Sequence, residues 1–148
     1  MPASAKVDWS FGGAWPFQPH WFATRDGQMH YIDEGPRDGR PVVLVHGNPT
    51  WGFVYRNFVG PLTAAGHRVI VPDHLGFGRS DKPHDARLCT IARHIERFDA
   101  LLESLDLNGA TVVPCRSSDS SSASKRSMCR AIVQRLASWG LSERPKPR

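Results

Sequence analysis

Cysteine is scarce in this chain: three residues in 148, with no C-x-x-C pair. An odd count without that spacing argues against a disulfide framework and against a zinc site of the usual ligand spacing. A reducing compartment is the easier fit. Long apolar runs are missing too. The longest are four or five residues, against the ~20 that a membrane-spanning helix needs. Met1 to Phe17 holds one lysine and no apolar h-region, so no signal peptide is expected and the expected location is cytoplasmic. Internal repeats are absent, and the hydrophobic fraction of 40% is slightly low for a globular chain.

Negative charge is thin in one place only. Residues 114–148 hold 8 of the 19 Lys+Arg but 2 of the 14 Asp+Glu. Residues 1–113 therefore carry 11 against 12, a net −1, and the overall +5 belongs to the tail. A net basic balance suggests acidic partners, but this distribution removes that reading from the first 113 residues, and no nucleic-acid partner is expected. The tail also holds 9 of the 13 serines and two of the three cysteines.

What is present reads as alternating strands and helices. Residues 1–19, with Pro2, Pro16 and Pro19, form an irregular arm. Trp21 to Thr24 and Gln28 to Ile32 flank Asp26-Gly27, a hairpin signal. Glu34 to Pro41 is a loop rich in Gly and Pro. Val42 to His46 is a continuous apolar strand, suited to a sheet covered on both faces. From Trp51, apolar side chains recur at Val54, Tyr55, Phe58, Val59 and Leu62, an amphipathic helix that Gly66 ends. Arg68 to Pro72 is the next buried strand. Thr90 caps a helix carrying Ile91, Ile95, Phe98, Leu101, Leu102 and Leu105, which Asn108-Gly109 closes. Ala110 to Val113 starts a further strand. The order ββ, then β-α-β-α-β, is an α/β sheet. Reactive groups in such sheets sit at the carboxyl ends of the strands, where His46 to Asn48 and Asp73 to Leu75 fall.

The most informative stretch is His46-Gly47-Asn48-Pro49-Thr50-Trp51. Strand, tight glycine turn and helix follow one another. Backbone N–H groups at such a turn face the cleft and can hold an anion or oxyanion. A buried carboxamide at Asn48 adds a donor to the same spot. A second long motif runs from Val69 to Pro83 through Asp73, Gly76, Gly78, Arg79, Ser80 and Asp81. Gly76-x-Gly78 is not a dinucleotide fingerprint, because the sixth position of G-x-G-x-x-G is Asp81.

These two motifs, with Tyr55-Arg56 between them, resemble the haloalkane dehalogenases of the α/β-hydrolase superfamily. The resemblance covers roughly Trp15 to Val113. It implies the N-terminal half of an α/β-hydrolase fold, a hairpin followed by a parallel βαβαβ unit. It implies hydrolysis of a carbon–halogen bond to an alcohol and a halide, on a halogenated aliphatic substrate, with no cofactor and no metal. An Asp carboxylate would displace the halide and leave an alkyl ester, which a His-activated water then cleaves. By the same resemblance Asn48, with Gly47, would stabilise the halide or oxyanion. His46, Pro49, Trp51, Asp73, Gly76 and Gly78 would hold the loops. Arg79 and Asp81 are expected to pair on the surface, and Trp51 and Tyr55 to pack.

The pattern breaks after Val113. In the resembled family this strand runs into a nucleophile elbow, a sharp strand-to-helix turn, with an Asp followed by Trp and two Gly. Here Pro114-Cys115-Arg116-Ser117-Ser118 follows instead. The implied nucleophile, acid and base are therefore not among these residues, and the implied activity of this chain is nil or nearly so. The expected division is an arm over 1–19, a partial hydrolase domain over 20–113 and a basic Ser/Arg-rich tail over 114–148, either read out of frame or fused. Met128, Ile132, Leu136 and Trp139 make 124–139 a candidate helix, and Lys125, Arg126, Arg130 and Arg135 make it basic. Such a helix suits a membrane or an acidic partner, which gives the alternative of a non-catalytic interaction protein. An epoxide hydrolase-like fragment is the alternative within the superfamily.

Overall fold

The computed structural model describes residues 7–107 and 109–114. The candidate helix 124–139 and the rest of the basic tail lie outside them. Five strands form one mixed sheet: β1 (His20–Thr24), β2 (Gly27–Glu34), β3 (Pro41–Val45), β4 (Arg68–Pro72) and β5 (Thr111–Pro114). Their spatial order is β1-β2-β4-β3-β5. The first two pairings are antiparallel and the last two parallel. Two helices cross over, α1 (Arg56–Ala64) between β3 and β4 and α2 (Ile91–Ser104) between β4 and β5. This is the expected α/β arrangement.

The strand period of two explains the layering. Val42 and Leu44 face one side with Val69, Val71, Tyr55 and Val59. Val43 and Val45 face the other with Ile70, Phe98 and Leu102. The continuous apolar run of β3 is therefore two half-cores on opposite faces. Burial of a Leu, Val or Phe side chain stabilises by about 1.5–3 kcal/mol each. At the loop between β2 and β3, Arg68 clamps Asp33 with two bonds of 2.9 and 2.7 Å, which ties the end of β2 to the start of β4. Among the described residues no helix is long and apolar enough to cross a membrane. Among them β5 pairs with β3 alone, and Val113 is 40% exposed.

Three boundaries differ from the sequence reading. The hairpin loop is Arg25-Asp26 rather than Asp26-Gly27, since Thr24 pairs with Gly27. The segment after Trp51 enters as a 3-10 turn over Gly52–Tyr55 before α1 begins, because the Gly52 N–H is drawn to the Asp73 carboxylate at 2.8 Å. Helix α2 stops at Ser104, well before Asn108-Gly109. Asp106 adopts φ +51 there, and Leu107 N–H reaches back to the Leu102 carbonyl at 3.1 Å. That is the bonding of a left-handed helix cap, formed by an Asp where pattern reading looks for Gly.

Gly66 ends α1 as read. Its φ is +85, its N–H donates to Thr63 O at 2.9 Å, and His67 N–H donates to Leu62 O at 3.1 Å. A methyl group there would meet nothing within 4 Å. Gly66→Ala should therefore cost only the left-handed backbone penalty, about 1–2 kcal/mol, measurable as a lower urea midpoint with an unchanged slope. No loss would mean that the helix end readjusts.

Candidate functional site

The turn after β3 is held from three directions. The Gly47 carbonyl accepts the Thr50 N–H at 2.9 Å and the Thr50 hydroxyl at 2.8 Å. It also accepts the His46 Nδ1 proton at 3.0 Å. His46 Nε2 accepts the His74 backbone N–H at 2.9 Å. A ring nitrogen that accepts from an amide carries no proton, so His46 is the neutral Nδ1–H tautomer. Burial holds its pKa below the ordinary imidazole value, against the pull of the Gly47 carbonyl and the Asp73 charge. With both nitrogens on backbone groups, no lone pair is left for proton abstraction. His46 joins the ends of β3 and β4.

Asp73 is fully buried at the end of β4. Its Oδ1 accepts the Gly52 N–H at 2.8 Å, and its Oδ2 accepts the Arg79 N–H at 3.0 Å and His30 Nδ1 at 3.0 Å. Ser80 Oγ donates to the Asp73 carbonyl at 2.7 Å and accepts the His30 N–H at 2.8 Å. A buried carboxylate with three donors is satisfied by hydrogen bonding, and all of its neighbours are structural elements of the protein. Gly78 makes the approach possible. Its φ is +50, and a Cβ there would lie 2.2 Å from Asp73 Oδ2. Gly76, with φ +91, donates to the Asp81 carbonyl at 2.7 Å.

Asn48 sits beyond these ties. It is exposed, as is Pro49, and the Asn48–Pro49 bond is cis. This corrects the expectation of a buried carboxamide. Only the tip of the turn, Asn48 and Pro49, is exposed; His46 and Gly47 are buried. Trp51 lies inside a cage of rings, with Phe53 at 5.4 Å, Trp15 at 5.6 Å and Trp9 at 6.0 Å between centroids. Its Cβ lies 2.9 Å from where a Gly78 Cβ would stand, so Trp51, Gly78 and Asp73 form one packed unit. The Tyr55 hydroxyl bonds to the carbonyls of Val45 at 2.8 Å and Val113 at 3.2 Å. It links the ends of β3 and β5.

One expectation fails, and one cluster has no signal in the sequence. Arg79 and Asp81 form no ion pair among the described residues. Asp81 accepts the Gln28 N–H at 2.7 Å instead, and the Arg79 guanidinium stacks over Trp9 at 5.3 Å and Trp21 at 5.9 Å. The histidines behind the turn were missed. His74 is buried beside His46 at 4.8 Å and His94 at 5.2 Å between ring centroids. Burial, with the neighbouring His46, His94 and Arg97, pushes His74 well below the ordinary imidazole pKa, and burial with Arg97 and His46 pushes His94 down to about 4. No sequence period marks them, because they come from the end of β4 and the first turn of α2. Among the described residues no cluster of His, Cys, Asp and Glu could hold a metal ion.

Residues 40–113 match the family model described as alpha/beta hydrolase fold. The chain is 48% identical over 101 residues to a haloalkane dehalogenase of Psychrobacter cryohalolentis, covering 65% of this chain and 33% of that protein. It is 47% identical over 93 residues to a cis-3-alkyl-4-alkyloxetan-2-one decarboxylase of Shewanella oneidensis, covering 62% and 28%. The fold superposes on the tetrameric haloalkane dehalogenase DpaA from Paraglaciecola agarilytica NO2 with a TM-score of 0.63 and 39% identity, over 67% of this chain and 35% of that one. The chain thus spans about a third of the length of the curated relatives it matches.

Proposed function

The chain belongs to the alpha/beta hydrolase fold family, and from that premise we propose that it carries the halide-binding side of a haloalkane dehalogenase-like site. One observation carries this reading: the turn His46 to Trp51 stands at the carboxyl end of β3, with Asn48 exposed and the end of β5 paired alongside at Val45. A leaving halide gains charge as the carbon–halogen bond breaks. A preorganised amide donor is worth most to that charge, because it does not have to reorganise in the transition state. Gly47, with its carbonyl tied by Thr50 and His46, holds the turn in place. His46, Pro49, Trp51, Asp73, Gly76 and Gly78 take loop-holding roles in this reading.

The nucleophile of this reaction would follow β5. Residues 114–118 read Pro-Cys-Arg-Ser-Ser, which is no elbow. The 148 residues alone should therefore release no halide from a brominated alkane above the buffer rate. Turnover at rates typical of enzymes would overturn this. The positive test supplies the missing part, by co-expression with the segment of a dehalogenase relative that follows this strand. The pair should then release bromide, and Asn48→Ala should lower kcat by about 10²–10³-fold. The oxetanone decarboxylase relative supports a second reading. If the pair releases CO₂ from an alkylated β-lactone and no bromide from an alkane, that reading replaces the first. Opening of an epoxide without bromide release would place the site with epoxide hydrolysis.

A further inference from the structure

Residues 7–19 contain no helix or strand, yet they are folded. The Asp8 carboxylate accepts the Ser10 N–H at 2.9 Å, the Ser10 hydroxyl at 2.6 Å and the Gly12 N–H at 3.3 Å. The Ser10 carbonyl accepts the Gly13 and Trp15 N–H groups at 3.0 and 2.9 Å. Within this fold Phe11 stands at φ +50. A bulky residue in that region is strained and persists only where its surroundings hold it. The local turn bonds hold it from one side, and its ring, 46% exposed, leans on the site from the other, 5.7 Å from Trp51 and 5.1 Å from Phe53.

Trp9 reaches further. Its ring meets Trp51 edge-on, 6.0 Å away at 82°, and also lies under the Arg79 guanidinium at 5.3 Å. Trp51 ends the turn that presents Asn48. Arg79 belongs to the loop after β4, and its backbone N–H donates to the buried Asp73 carboxylate. Trp15, only 2% exposed, packs 5.6 Å from Trp51 and 6.0 Å from Phe53. Edge-to-face rings and a cation over an indole are directional contacts. They fix relative position where plain apolar burial would permit sliding.

We infer that residues 8–17 are a clasp that positions the His46–Trp51 turn, with Trp9 bridging Trp51 of that turn to Arg79 of the loop after β4. Trp9, Phe11 and Trp15 are positioning residues, since they act on Asn48 through Trp51. The functional meaning of the clasp rests on the halide-binding reading above, and its mechanical part does not.

The test is amide hydrogen exchange on the full 148-residue chain, comparing Trp9→Ala and Trp9→Phe with the unmodified protein. The Thr50, Gly52 and Val54 amides are each hydrogen-bonded across or within the turn. In Trp9→Ala these three should exchange at least ~10-fold faster through local opening, while Val69 and Ile70 of β4 change less than about twofold. Trp9→Phe keeps a ring against Trp51 and should restore most of the protection. A uniform rise at turn and sheet amides would reduce Trp9 to general fold support and overturn the clasp, as would no rise at the turn. The reconstituted pair separates the two readings. There Trp9→Ala should lower kcat, and should add little in an Asn48→Ala background. If the exchange effect is local but Asn48→Ala leaves bromide release unchanged, the clasp stands and the halide reading falls.

Discussion

Asp73→Ala should destabilise the protein by about 3–5 kcal/mol, the cost of removing one partner from a buried charged network. Three donors converge on this carboxylate: the Gly52 and Arg79 backbone N–H groups and His30 Nδ1. The substitution leaves them all in a site with no exposure. Each buried unsatisfied donor costs about 1–3 kcal/mol unless the loop opens to water. Gly78→Ala should also be severe, because its Cβ would stand 2.2 Å from Asp73 Oδ2 at a backbone φ of +50. The two costs should not add. With the carboxylate gone its clash is gone and only the 2.9 Å approach to Trp51 Cβ remains, so Gly78→Ala should then cost less, approaching the about 1–2 kcal/mol of the left-handed backbone. A double-mutant cycle by urea unfolding should thus give a coupling of about 1–3 kcal/mol. Additive losses would mean that Gly78 is required for some reason other than room for Asp73.

Acid should destabilise the protein through three of its buried histidines. His46, His74 and His94 all have folded pKa values held below the ordinary imidazole value, with burial the largest cause in each. The groups facing them reinforce this for His74 and His94, where Arg97 adds positive charge. For His46 the Gly47 carbonyl and Asp73 oppose burial and lose. In the unfolded chain each titrates near 6.5. Above that value both states are neutral and stability does not change. Below it the unfolded state binds protons that the folded state refuses, so stability falls as pH falls. The window runs from about 6.5 down to the folded values, about 4 for His94. Each histidine contributes a slope of at most about 1.4 kcal/mol per pH unit, so the three together set a ceiling of roughly 4 kcal/mol per unit. Urea titrations between neutral pH and the mid-acid range should show a flat upper region and then this fall. His74→Leu should remove about one proton from the slope. Stability that stays level down through the imidazole range would show that these rings reach water in the folded state.

The strands and helices were legible because their signals are local. The alternation along β3 and β4 places Val42 and Leu44 against α1 and Val43 and Val45 against α2. Thr90 caps α2 and Gly66 ends α1, each by a side chain or backbone freedom that acts within a few residues. The end of α2 was misplaced because Asp106 took a conformation that composition assigns to Gly or Asn. The Arg79–Asp81 pairing was misplaced for a different reason. Near neighbours of opposite charge suggest a bond, but Arg79 found Trp9 and Trp21, about 60–70 residues away in sequence.

Residue types and spacing alone determined the α/β order, the turn His46 to Trp51 at a strand end, and the absence of an elbow after Val113. These depend on periods and short motifs, which a chain carries wherever it is placed. Only the tertiary structure decided that Asp73 is the anchor of Gly52, Arg79 and His30, that His74 and His94 pack in a row behind His46, and that residues 9–15 hold Trp51. Each of those depends on which distant groups burial brings within 3 to 6 Å. The free energy of a buried polar group is set by the partner it meets there, and local sequence does not name that partner.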